Sequence, residues 1–329
     1  MISMRKYMIL LAAAMMAVAC QKAETESPQP NESEKPACNE PATPADTLPE
    51  GFAAAKRSYP IAAGTLRAYD VRSEQMKRTL KVDIWTPDGY AKDGKKHPVL
   101  YMHDGQNVIK KASMSNHAWE MDKVVTRLGE QIAAPIVVMI YCNDATRNAD
   151  YMPANWWSLL PEGQTSITVP GENTIKKANS REYIDFIAET LKPWVDKTFA
   201  TESAAAHTFV GGSSMGALVS VYAVQYRPDV FGGAMALSYP SLAEWWDWQK
   251  RTFSEQMPAV NSVRLYIDAG TGDQDKTFFP YFDEIGSTLT AAGWDEQHLQ
   301  TPVFKDANHS EKDWAARLDV PLLFLLGAD

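Results

Sequence analysis

The chain has 329 residues, 45% of them apolar and 10% aromatic, which is enough for one large hydrophobic core and demands no second domain. A formal charge of -9, with Lys and Arg scattered rather than gathered in a stripe, argues against a cationic groove for nucleic acid.

In chain order, residues 1–19 read as a secretory signal. Arg5 and Lys6 form a charged start, residues 8–18 are apolar, and Ala17-Val18-Ala19 supplies the small residues of a cleavage site. The apolar run is short for a bilayer span. Ala17-Val18-Ala19-Cys20 resembles the lipobox of bacterial lipoproteins, with Ala17 where a Leu is usual. The resemblance implies cleavage before Cys20, its lipidation, and a protein anchored by lipid to a membrane of the bacterial cell envelope, on the periplasmic side or the cell surface. Residues 20–58 hold Pro28, Pro30, Pro36, Pro41, Pro44 and Pro49 among small polar residues, with few large apolar side chains. Such a stretch buries too little to offset its ordering entropy and reads as a flexible tether, leaving residues 59–329 as the folded domain. In an oxidising compartment Cys38 and Cys142 are candidates for a disulfide, and two free thiols are the equal alternative.

The domain opens with predicted strands at 65–71 and 79–85, where Leu80, Val82 and Ile84 alternate with polar neighbours. A buried strand at 98–102 ends in His103-Asp104-Gly105-Gln106, a helix follows at 120–132, and the next buried strand covers 135–141. A polar loop over 143–180 contains Trp156 and Trp157; residues 181–199 then carry apolar side chains at helical spacing. Further strands are expected at 207–211, 231–238, 263–268 and 302–305, with helices at 217–226, 277–292 and 311–326. Strands alternating with helices over this length predict a doubly wound, mostly parallel sheet, whose ligands sit at the carboxyl ends of the strands.

Gly212-Ser213-Ser214-Met215-Gly216 falls between a predicted strand and a predicted helix, the context of a nucleophile elbow in an α/β-hydrolase fold. Ser214 alone has glycines two residues to either side, which makes it the candidate nucleophile, and the Met215 amide points where an oxyanion would form. A serine hydroxyl needs a base, and the fold's order is Ser, then an acid, then His. After Ser214 come His298, in a solvated setting at a helix end, and His309, in a loop after the last strand. His309 is therefore the expected base. For the orienting acid, Asp268 lies nearest the strand end, Asp273 is better placed because the glycine-containing turn folds it back towards His309, and Asp275 suits a helix cap. The three acids lack the order of a calcium loop, so no metal is expected, and no cofactor is needed. Gly105 permits close backbone approach, which makes the Gln106 amide the second candidate oxyanion donor, while His103 precedes the nucleophile by over a hundred residues and suits a supporting role.

Taken together, Val99 to Asn107, Arg147 with Asp150-Tyr151-Met152-Pro153, Gly212 to Gly216, Pro228 to Gly232 with Ser238, Gly270-Thr271-Gly272-Asp273, and His309 with Glu311 and Trp314 resemble the esterase family that includes ferric-enterobactin esterases, S-formylglutathione hydrolases and feruloyl or acetyl-xylan esterases. The resemblance implies a triad of Ser214, Asp273 and His309, its Gly-Thr-x-acid pattern selecting Asp273 over Asp268. It also implies hydrolysis of a small-molecule, carbohydrate or siderophore ester through an acyl-enzyme. Trp156, Trp157, Trp245 and Trp246 are candidate pocket walls, with a place in the core as the equal alternative. Alternatives to hydrolysis are acyl transfer or peptide cleavage on the same triad, or a non-catalytic binding lipoprotein of the same fold.

Overall fold

The computed structural model describes residues 48–90, 94–111, 116–272 and 275–328. The signal sequence, Cys20, Cys38, most of the tether and Asp273 lie outside the described residues. The strands are β1 (Phe52–Ala55), β2 (Thr65–Ser73), β3 (Arg78–Thr86), β4 (Val99–Met102), β5 (Ile136–Ile140), β6 (Ile167–Thr168), β7 (Thr174–Ile175), β8 (Thr208–Ser213), β9 (Gly233–Leu237), β10 (Arg264–Ile267), β11 (Ala269–Gly270), β12 (Leu299–Gln300) and β13 (Val303–Phe304). Nine of them form one sheet in the order β1-β2-β3-β5-β4-β8-β9-β10-β12. Pairing is antiparallel from β1 to β5 and parallel from β5 to β12, the doubly wound arrangement expected.

The parallel strands are buried on both faces, which is why they read as continuous apolar runs. Val99, Tyr101, Val138, Ile140 and Val210 pack on one side of the sheet, and Leu100, Met102, Val137, Met139 and Phe209 on the other. Among the described residues, fifty-two buried ones make up the first cluster and twenty-two the second, so the sheet sits between two unequal cores.

Several boundaries differ from the expectation, each for a local reason. The sheet begins inside the stretch assigned to the tether: Phe52 packs on the Trp194 ring at 4.7 Å, and β1 pairs with β2. Arg57 ties the next residues down through Asp70 and Asp83. The helix expected at 277–292 is two, Asp275–Phe278 and Phe282–Ala291, because Pro280 cannot continue the first. Residues 303–304 leave the main sheet and pair with β11, while β12 takes the edge beside β10. The helix Trp246–Glu255 and the β6–β7 hairpin are not among the elements expected from the sequence.

Candidate active site

The elbow is built from small residues in contact. β8 ends at Ser213, the helix Met215–Tyr226 begins two residues later, and Ser214 stands between them at φ 59° and ψ -125°. That conformation is costly for a side-chain-bearing residue and survives because its surroundings enforce it. The Ser214 amide donates to the Leu237 carbonyl at 3.0 Å, pinning the turn to the end of β9. A Cβ on Gly212 would come within 3.1 Å of the Gly216 backbone, so the two glycines let strand and helix close around the serine. Ser213, the rival hydroxyl, is buried, while Ser214 is partly exposed at the mouth of the turn. The Met215 amide belongs to the first helical turn, whose N–H groups have no acceptor within the helix.

His309 is carried to the same end of the sheet by the β11–β13 pairing. Thr271 donates its amide to the Phe304 carbonyl at 3.1 Å and Gly272 donates to Ala307 at 2.9 Å, which lays the loop after β13 along the loop after β11. Ser310 then caps the helix Glu311–Arg317 by accepting the Asp313 amide, and His309 is held just before the cap. Its Nδ1 lies 2.6 Å from Asp275 Oδ1, leaving Nε2 as the nitrogen that can serve a hydroxyl. Phe278 and Trp314 stand edge-on to the imidazole, each with its ring centre 5.1 Å away.

The carboxylate that meets His309 is thus Asp275, which the sequence reading gave to helix capping. Asp273, selected there as the acid, lies outside the described residues. The pairing has a physical basis: Asp275 opens a helix only four residues long and is itself buried, so its carboxylate is turned inward rather than spent on a cap. Its second oxygen accepts the Ser238 hydroxyl at 2.7 Å and the Gly270 amide at 3.1 Å. The Ser238 oxygen in turn accepts from Trp314 Nε1 at 2.8 Å and from Arg317 Nη2 at 2.9 Å. Trp314 and Arg317 are three residues apart and share a face of the capped helix, which is how both reach one hydroxyl.

Asp268, the other acid considered, engages Arg317 rather than His309. It is fully buried and engages Arg317 through both oxygens, at 2.9 and 3.0 Å, with the Ser238 amide and the Tyr266 hydroxyl completing its partners. Burial pushes its carboxyl above the ordinary range, against the pull of Arg317. His298 pairs with Asp295 on the surface, apart from these groups.

On the other side of the elbow, Gly105 opens a short helical turn that ends at Asn107. A Cβ there would strike the Met139 backbone at 2.5 Å, so only glycine allows the loop to lie against β5. The Gln106 side chain is fixed by a double contact with Cys142, donating to Sγ at 2.9 Å and accepting the backbone amide at 3.2 Å. Beneath it, Asp104 takes Arg147 Nε at 2.9 Å and Nη2 at 2.7 Å. Burial raises the Asp104 carboxyl, but the Arg147 guanidinium outweighs it and holds the group below its ordinary value. His103 is buried against the elbow, its Nδ1 2.8 Å from the Tyr183 hydroxyl. Burial pushes its pKa down to about 3, so it is neutral at neutral pH and supports the turn rather than exchanging protons.

A cavity of about 430 Å³ opens beside the elbow, lined by Ser214, Met215, Trp245, Phe278, Glu172 and Glu244 among others. Phe278 joins the two halves of the site, since it walls this cavity and flanks His309. Of the tryptophans read as pocket walls, only Trp245 lines it. Trp156 is buried and packs on Trp245 and Trp248, Trp246 stacks on Tyr281 at 5.3 Å, and Trp157 is half-buried against the core. Among the described residues no group of three or more His, Cys, Asp or Glu is arranged to hold a metal ion.

Comparison with known proteins accords with this architecture. No curated protein matches the chain. Among solved structures it is similar to an IroE-like serine hydrolase from Shewanella oneidensis, at 18% identity and TM-score 0.57, with 79% of each chain covered. It is also similar to a ferulic acid esterase, at 17% identity and TM-score 0.58, covering 80% of this chain and 98% of that one. The enterobactin esterase FES from Shigella flexneri aligns at 17% identity and TM-score 0.55 over 81% of this chain and 60% of its own. The family model described as "Putative esterase" matches residues 73–325, and the chain belongs to that family of carboxylic ester hydrolases.

Proposed function

We propose that the protein hydrolyses carboxylic esters with Ser214 as nucleophile, His309 as general base and Asp275 as the acid that orients it. The observation that carries the reading is the 2.6 Å contact between Asp275 and His309 Nδ1, on the face of the fold where Ser214 occupies its strained turn. In the first step Nε2 takes the Ser214 proton as the oxygen attacks the ester carbonyl, while Asp275 stabilises the imidazolium. The Met215 and Gln106 amides hold the oxyanion, the first at a helix N-terminus and the second on a loop braced by Cys142. The imidazolium then protonates the departing alkoxide, leaving an acyl group on Ser214. Water, deprotonated by the same imidazole, releases the carboxylic acid and restores the serine.

Substituting Ser214→Ala should abolish turnover of a short nitrophenyl ester, a loss of at least ~10³ in kcat. A variant that kept most of its activity would refute the assignment of the nucleophile.

A further inference from the structure

The cavity beside Ser214 also carries information about charge. Two acidic side chains, Glu172 and Glu244, line it, and among the described residues that do so there is no Lys, Arg or His. Apart from the hydroxyls of Ser214 and Thr277, the remaining lining is apolar or aromatic, including Leu242, Trp245 and Phe278. Glu172 is solvent-exposed but tethered. It sits in the turn of the β6–β7 hairpin, where its amide donates to the Val169 carbonyl at 3.0 Å and its carboxylate accepts from the buried Asn148 amide. Glu244 directly precedes Trp245, which packs on the buried Trp156 at 5.6 Å and anchors its end of the loop. Both residues sit on anchored backbone, and their exposed carboxylates edge a partly apolar space, where a ligand's charge is less screened than in open water.

We propose that this cavity selects esters by charge: the group lodged in it is cationic or uncharged, and an anionic group is rejected. The proposal rests on the esterase reading above and deepens it, because two negative charges at the cavity raise the energy of an anion in it and lower that of a cation. Apolar walls accept the neutral group between these limits, and Trp245 and Phe278 place aromatic surface where a cation also gains.

The test uses the whole protein and two matched sets of esters, each rate divided by its hydroxide-catalysed rate. One set varies the acyl group, with 4-nitrophenyl butyrate, mono-4-nitrophenyl glutarate and 4-nitrophenyl 4-(trimethylammonio)butyrate. The other varies the alcohol, with phenyl acetate and its 4-carboxy and 4-trimethylammonio derivatives. In at least one set, kcat/KM should fall from cation to neutral to anion, the extremes differing by about tenfold or more at low salt and converging as salt is raised. Glu172→Gln combined with Glu244→Gln should bring the extremes to within about twofold of each other. Because the readout is a ratio between esters, a general loss of activity does not hide the result, and the single variants provide the check where the double one folds poorly. Equal turnover of anion and neutral ester in both sets would overturn the proposal, as would an ordering that survives the double substitution. Absence of Ser214-dependent hydrolysis for every ester would instead overturn the esterase reading itself.

Discussion

Two Asp–Arg pairs flank the elbow, and they brace different halves of the site at different depths. Asp104 and Arg147 support the loop that carries Gln106, with side chains 12% and 25% exposed. Asp268 and Arg317 lie under the ledge that holds Asp275, with side chains 0% and 4% exposed. The deeper pair is linked to His309 by a chain of hydrogen bonds, from Arg317 through Ser238 and Asp275. The shallower one is less deeply buried, its arginine laid over the Tyr151 ring at 5.2 Å. The contrast teaches that the side of the site holding Asp275 is welded to the core, whereas the side holding Gln106 is clamped to a loop.

Exchanging the acid is the strongest way to break this comparison. Asp275→Asn should lower kcat on a nitrophenyl ester by about 10³ to 10⁴, the range for losing the partner that holds the base in its tautomer. Asp273→Asn should leave kcat within about threefold. The reverse outcome would move the acid off the Arg317 side and dissolve the coupling.

Next in size is the stability difference between the pairs. Arg317→Met strands the Asp268 charge in the core and should cost about 3–5 kcal/mol in urea unfolding. At the wetter site Arg147→Met should cost about half as much, while still depressing activity through the Gln106 loop. Equal losses would mean that depth does not distinguish the two.

The smallest effect sharpens the Gln106 side through pH. The ordinary histidine value is near 6.5, and burial takes His103 to about 3 in the folded protein, so below pH 6.5 the unfolded chain binds a proton that the folded one does not. Stability from this group is complete above pH 6.5 and is lost as pH falls towards 3. Between pH 6.5 and 5 the loss should be roughly 1–2 kcal/mol, and His103→Phe should remove that part of the slope from a series of urea midpoints. An unchanged slope would mean that His103 is not held neutral by burial.

How much of this was legible in the sequence follows from how local each feature is. The elbow could be read because Gly212, Ser214 and Gly216 encode strand, turn and helix within five residues, and the contact between the glycines is the reason for their spacing. His309 could be read from chain order and from its place after the last strand. The acid could not be settled that way: Asp268, Asp273 and Asp275 lie within eight residues, and which one turns towards His309 depends on the β11–β13 pairing and on Ser238, thirty-seven residues from Asp275. Arg317 gave no functional signal, and Trp314 gave one only as part of the family pattern, because their role is tertiary. Pairs of tryptophans read equally as pocket and core; Trp156 and Trp245 found each other, so that core packing left only one of them on the cavity wall.

The central claim is that His309, oriented by Asp275, activates Ser214. Time-resolved labelling of the whole protein with a fluorophosphonate, with the modified peptide mapped by mass spectrometry, tests it most directly. The account predicts one adduct on Ser214, absent from Ser214→Ala and formed at least ~100-fold more slowly in Asp275→Asn, with Asp273→Asn labelled at the wild-type rate. Labelling elsewhere, or an Asp275→Asn variant labelled as fast as wild type, would contradict it.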